Sequence, residues 1–204
     1  DAKGKGVYKG LFGVSNQGLI GRGRLDFLGA AIESEYIEFL PAQFITDRVD
    51  SLTIKEQVID GVEFPSVYAD SVFIDWLPYS DSMFIETDIN KNAPFRFFDK
   101  REHTLTGLLH LTKKGLMGHG TFEWEEGLVK SNPTGELVFG KKKVNSTTSI
   151  FEIKKPGEKL PAFRHENAEV MVDFENKKAE YKSDNATMTD LPYNHYKTEL
   201  DKFT

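Results

Sequence analysis

Residues 10–27 read GLFGVSNQGLIGRGRLDF, and residues 107–124 read GLLHLTKKGLMGHGTFEW. Six of the eighteen aligned positions are identical at a step of 97 residues, and most others exchange like for like: Phe12 for Leu109, Ile20 for Met117, Phe27 for Trp124. Recurrence at a fixed period is the mark of repeat architecture. The motif also predicts a hairpin. With a turn at Ser15 to Gly18, Val14 pairs with Leu19, Phe12 with Gly21, Gly10 with Gly23 and Tyr8 with Leu25, all on one face because strand side chains alternate. The later copy gives Leu111 with Leu116, Leu109 with Gly118, Gly107 with Gly120 and Leu105 with Phe122. Glycine weakens a strand unless something large approaches it there. The expected fillers are aromatics from a neighbouring layer, Trp76 and its counterpart Phe174.

Beyond the hairpin the match continues with slips. Ser34 aligns with Ser131, and the step then becomes 98: Val72 with Val170, Asp75 with Asp173, Trp76 with Phe174, Pro94 with Pro192, Phe95 with Tyr193. The reading is all-β, two tandem antiparallel β-meander repeats of about 98 residues stacked into an elongated structure. Residues 1–101 form the first and residues 102–204 the second, separate or packed as one continuous domain.

Two-residue alternation carries this reading along the chain. Val72, Ile74 and Trp76 alternate with Ser71, Phe73 and Asp75; Phe122 and Trp124 with Thr121, Glu123 and Glu125; Val170, Val172 and Phe174 with Met171 and Asp173. Turn chemistry separates the strands at 15–18, 112–115, 131–135, 156–159 and 175–178. Residues 192–203 allow a helix through Tyr196, Leu200 and Phe203, or equally a turn or strand.

Composition narrows the partners. The 204 residues carry a net charge of −6 with dispersed lysines, which argues against a nucleic-acid or anionic-membrane partner, since phosphate binding needs a concentrated basic surface. There is no cysteine, hence no disulfide framework or thiolate metal site. No apolar run reaches the roughly eighteen residues of a helical membrane span, and no stretch of the 204 residues reads as a signal peptide. The chain opens at Asp1 without a methionine and closes where a further copy would begin, so a piece of a longer protein is expected.

The glycine-spaced hairpins, followed by VDFEN at 172–176 and by LPYNHYKTELDKF at 191–203, resemble segments of very large, repeat-built β proteins of the Bacteroidota cell envelope, which have no assigned enzymatic activity. The GxGxLxF spacing is similar to the elongated repeats of AsmA- and TamB-like envelope proteins. The resemblance implies an architectural or transport role in the cell envelope, periplasmic or outer-membrane-associated, or outside the cell. The implied partners are neighbouring repeats of the same polypeptide or other envelope proteins, with glycan as a further candidate. It supplies no catalytic residues.

Residues present in both copies serve the fold, and residues in one copy are free to specialise. His110 and His119 lie diagonally on one face of the hairpin, but Gly13 and Arg22 hold their places in the first copy and no carboxylate completes a metal site. His103, His165 and His195 read as ordinary polar residues. Asp88, Asn90, Asn92 and Asp99 imitate a calcium loop without its glycine at position six. Asp75 and Asp173 recur, and a pair of carboxylates suggests glycoside hydrolysis, yet a recurring strand aspartate can equally cap a turn or protect an edge. GVSNQG has one residue too many for a nucleophile elbow. No catalytic, cofactor-binding or metal residue and no cofactor is assigned.

Aromatics are the remaining resource. Trp76, Tyr79, Phe84, Phe95, Phe97 and Phe98, with Tyr181, Tyr193 and Tyr196, could stack on sugar or grip a peptide. The run Phe95 to Phe98 is the most suggestive, because consecutive residues of a strand face opposite sides. The expected function is a non-enzymatic scaffold or adhesion segment. A glycan- or peptide-binding module and an apolar groove carrying lipid are the alternatives.

Overall fold

A computed structural model describes residues 6–16, 18–91, 93–183, 188–199 and 202–203. The protein is all-β. Its strands are β1 (Val7–Ser15), β2 (Gly18–Phe27), β3 (Ala30–Phe39), β4 (Phe44–Ile54), β5 (Gln57–Ile59), β6 (Val62–Phe64), β7 (Val67–Ala69), β8 (Val72–Leu77), β9 (Ser82–Thr87) and β10 (Phe95–Phe97). There follow β11 (Thr104–Thr112), β12 (Gly115–Trp124), β13 (Gly127–Ser131), β14 (Leu137–Phe139), β15 (Lys143–Ile153), β16 (Phe163–Asp173), β17 (Lys178–Lys182), β18 (Met188–Leu191), β19 (Tyr196–Glu199) and β20 (Lys202–Phe203). Apart from the β5–β6 hairpin, all belong to one antiparallel sheet.

The sheet runs in chain order. β1 pairs with β2, β2 with β3 and β3 with β4. β4 pairs with β8 at its start and β7 at its end. β8 continues to β9 and β7 to β10, and both β9 and β10 then pair with β11. The sheet proceeds through β12, the broken strand β13 and β14, β15 and β16. It ends with β17 and β18 on β16, β20 on β17 and β19 on β18.

The hairpin register is as read from the motif. Tyr8 faces Leu25, Gly10 faces Gly23, Phe12 faces Gly21 and Val14 faces Leu19, and the pairs 105–122, 107–120, 109–118 and 111–116 repeat it. The fillers differ from the expectation. A Cβ on Gly21 would come within 2.6 Å of Phe39 Cε2, and one on Gly118 within 3.1 Å of Phe139 Cε2. Gly21 and Gly118 therefore make room for a ring from the next strand of the same sheet, whereas the facing pairs Gly10–Gly23 and Gly107–Gly120 lie against each other's backbone. Trp76 and Phe174 do not approach them.

The spacing of the copies also changes along the ladder. Phe44 pairs with Trp76 and Val144 with Val172, so the ladder counterpart of Trp76 is Val172. Phe174 still packs against Trp124, 5.6 Å between ring centres, as Trp76 packs against Phe27 at 5.0 Å. Bulges in β3–β4 and β15–β16 explain the drift, since each extra residue shifts every later partner. Pro192 does not correspond to Pro94. It opens a 3-10 turn, Pro192–Asn194, entered from Leu191 and closed by left-handed His195, and the turn Pro78–Ser80 has the same form between Leu77 and left-handed Asp81. In place of a helix, residues 192–203 hold this turn and the strands β19 and β20.

One apolar cluster runs through both halves, from Leu25, Phe27 and Ile32 to Val170, Val172 and Tyr181. The run Phe95 to Phe98 belongs to it. Phe95 and Phe97 point inward by alternation, and left-handed backbone at Phe98, φ 58°, turns the next ring inward as well. Phe98 then meets Phe174 at 5.4 Å and Phe97 meets Phe122 at 5.5 Å, so the core crosses the link between the halves.

Candidate functional site: an open edge and an aromatic groove

The unusual surface lies at the first hairpin. Among the described residues β1 pairs only with β2, leaving the backbone groups of its other side without a strand. Its side chains are open too: Leu11 is 75% exposed, Phe12 59% and Val14 88%. Long apolar edge strands are sites of further pairing, and native proteins usually blunt them. β1 carries no proline, and Lys9 is the one charged residue within it.

Beside this edge is a groove of about 750 Å³ lined by Tyr8, Phe12, Leu19, Phe39, Phe44 and Trp76, among others. Phe39 is its centre. It lies 5.0 Å from Tyr8, 5.1 Å from Phe12 and 4.7 Å from Phe44, and Phe44 continues to Trp76 at 5.0 Å. These rings meet tilted or edge to face, the arrangement of aromatic packing. Tyr8 Oη donates within reach of the Leu11 and Arg22 carbonyls, 2.8 and 2.9 Å away, which anchors the ring across the hairpin.

The same hairpin in the second half is closed. Leu105, Leu109, Leu111 and Leu116 are fully buried. β9 seals the edge of β11, with Ile85 opposite Leu109 and Met83 opposite Leu111. Phe97 fills the place of the groove, stacking on Phe139 at 4.5 Å. The β5–β6 hairpin closes over the turn, where Val62 reaches the space above Gly115 and Lys141 N–H donates to Glu63.

The residues weighed for chemistry are not brought together into a reactive centre. His110 and His119 share the outer hairpin face on adjacent strands. His110 stacks on Phe84 at 4.3 Å and bonds Ser82 at 3.2 Å, and partial burial lowers its pKa against the pull of Glu136. His165 is fully buried and accepts from the Asn167 N–H; His103 packs on Phe174 at 4.5 Å, with burial lowering its pKa. His195 serves the left-handed end of its turn.

Asp75 accepts from Gln43 at 2.8 Å. Asp173 caps the turn after β16, accepting from the N–H groups of Glu175 and Asn176 and the Asn176 amide, with Lys143 at 3.1 Å. Those hydrogen bonds, led by Asn176, hold its carboxyl at about 2. Asp88 accepts from the Asn90 N–H in a local turn. Asp99 sits in the left-handed turn after β10, and Asn92 lies outside the described residues. Among the described residues no group of three or more His, Cys, Asp or Glu side chains is placed to hold a metal ion, and no helix is long and apolar enough to cross a membrane.

Sequence reasoning named Trp76 but missed Tyr8, Phe12, Phe39 and Phe44 as a cluster. The available signal was Phe39 aligning with Phe139 at a step of 100, masked by the two different steps on either side. Tyr79 and Tyr196 are exposed singly, and Tyr193 carries Lys155 Nζ over its ring at 3.1 Å. No protein-family model, curated protein or solved structure matches the chain.

Proposed function

We propose that the protein is a non-enzymatic structural segment of a larger bacterial envelope or secreted β-repeat protein, working through association of its sheet. The observation that carries this reading is the contrast between two hairpins of one register: β11 is sealed into the sheet, while the matching strand β1 has its apolar side open. Each unit of such an architecture buries faces that it cannot bury alone. The resemblance to repeat-built envelope proteins supports the location, and the assignment of Asp75, Asp173, His110 and His165 to local bonding and packing supports a role without chemistry.

The groove favours a peptide ligand as the second reading. Its rings pack against one another edge to face and so present no coplanar platform of the kind used for stacking on sugar. A lipid passage would need the groove to continue through both halves, and Phe97 occupies the equivalent place in the second.

The test is a titration of the tryptophan fluorescence of the Trp124→Phe variant with a panel of polysaccharides and with phospholipid vesicles, Trp76 then reporting alone from the groove. The scaffold reading expects no saturable response, and a saturable response to either ligand overturns it.

A further inference from the structure

We infer that the open edge of β1 takes an antiparallel strand of the same kind as β9, supplied by another repeat unit, in the register that β9 adopts on β11. The inference rests on the scaffold reading and names its partner.

Three observations carry it. First, β1 and β11 are the same strand by register: both hairpins pair position for position, including the two facing glycines. Second, the chain shows what seals such a strand. β9 lies on β11 with Ser82 opposite Thr112, Met83 opposite Leu111 and Ile85 opposite Leu109. The motif is repeated at the other end of the sheet, where β20 takes the ladder place of β11 and is paired by β17, Tyr181 opposite Phe203. Third, β1 is exposed along nearly its whole length, including the two apolar positions whose counterparts β9 faces on β11. Val14 is 88% exposed against 0% for Leu111, and Phe12 59% against 0% for Leu109.

Transferred to β1, the register places the incoming Met83-type residue opposite Val14 and the Ile85-type residue opposite Phe12. These two apolar side chains face the groove side of the sheet, where Phe12 already meets Phe39. A partner of this kind supplies apolar residues at alternate positions and backbone groups to the free edge, the two elements of recognition by strand addition. A strand slipped by one residue would turn its apolar side chains to the opposite face. The pairing is therefore register-specific.

The absence of cysteine allows a direct test. The full chain carrying Val14→Cys is mixed with a synthetic peptide of residues 71–88, the β8–β9 hairpin, bearing Met83→Cys or, as the slipped control, Phe84→Cys. Directly opposed strand residues lie at the separation a disulfide spans. The expected result is cross-linking to the Met83→Cys peptide at least about tenfold faster than to the control, lost when Phe12→Glu is added, and protection of the β1 amides from hydrogen exchange by the unmodified peptide. Equal rates for the two peptides, or no conjugate, overturn the inference. So does faster formation of the chain's own disulfide dimer, which would assign the edge to β1 of a second copy, and so does sequestration of β1 by phosphatidylcholine vesicles. None of the cross-linking outcomes depends on the fluorescence response to glycan or lipid, so the two readings fail separately.

Discussion

The edge of the Phe39 ring stands where a side chain on Gly21 would be, its Cε2 within 2.6 Å of a Cβ built there. Phe139 and Gly118 repeat the relationship at 3.1 Å. Each ring comes from the neighbouring strand of the same sheet; Tyr8 Oη crowds the Gly21 position at the same 2.6 Å, and the Leu108 carbonyl lies 2.9 Å from the Gly118 position.

Gly21→Ala should destabilise the protein by about 1–3 kcal/mol, the usual cost of overpacking a filled site. Part of that loss should return in the double variant with Phe39→Ala, because the two residues share one space and their effects are coupled. Urea unfolding of the four proteins measures the coupling. Strict additivity would mean that the ring is not what excludes the side chain.

The closed and open hairpins should respond differently to truncation. Phe97→Ala removes a fully buried ring stacked on Phe139 and should cost about 3–5 kcal/mol. Phe12→Ala removes a mostly exposed one and should change stability by about 0.5 kcal/mol or less. Denaturation midpoints at constant slope decide the comparison.

Asp173 should make stability depend on acid. Its carboxyl, held at about 2 by the Asn176 hydrogen bonds and Lys143, is below the ordinary carboxylate value near 3.9. A depressed acid stabilises the fold above the unfolded-state value, and that contribution is lost as pH falls from about 4 through about 2. Asp173→Asn should therefore be less stable than the parent at neutral pH, with the gap in melting temperature closing over that interval. A gap that persists unchanged at pH 2 would contradict the turn-capping role.

His103 should act at milder acidity. Burial against Phe98 and Phe174 lowers its pKa below the ordinary histidine value, despite the pull of Glu102 and Glu126. The folded state thus favours the neutral ring, so its contribution holds above about pH 6.5 and declines as pH drops through the lowered value. His103→Phe keeps a ring beside Phe174 and should flatten that part of the pH profile, measured by thermal unfolding between pH 7 and 4.5.

The parts of the fold legible in the sequence are those decided locally. The pairing of Val14 with Leu19, and its echo at Leu111 and Leu116, follows from turn residues and two-residue alternation, and the all-β class follows from the same alternation at Val72, Ile74 and Trp76. The match of Trp76 to Phe174 was harder. It takes a step of 98 through the second part of each copy, and bulges near Ser34 and Ser149 alter the step further, so ladder partners and sequence partners diverge. Phe98 escaped for another reason: alternation places it outward, and one left-handed residue reverses that.

The sequence by itself determined two hairpins of one design, because turn chemistry and glycine spacing act over a few residues. Only the tertiary structure decided that they differ in use. Leu109 and Phe12 occupy the same place in hairpins of one register, yet one is sealed by β9 and Phe97 and the other stays mostly exposed. Burial is a property of the neighbour as much as of the residue, and a neighbour brought in by long-range pairing leaves no mark on the strand that receives it.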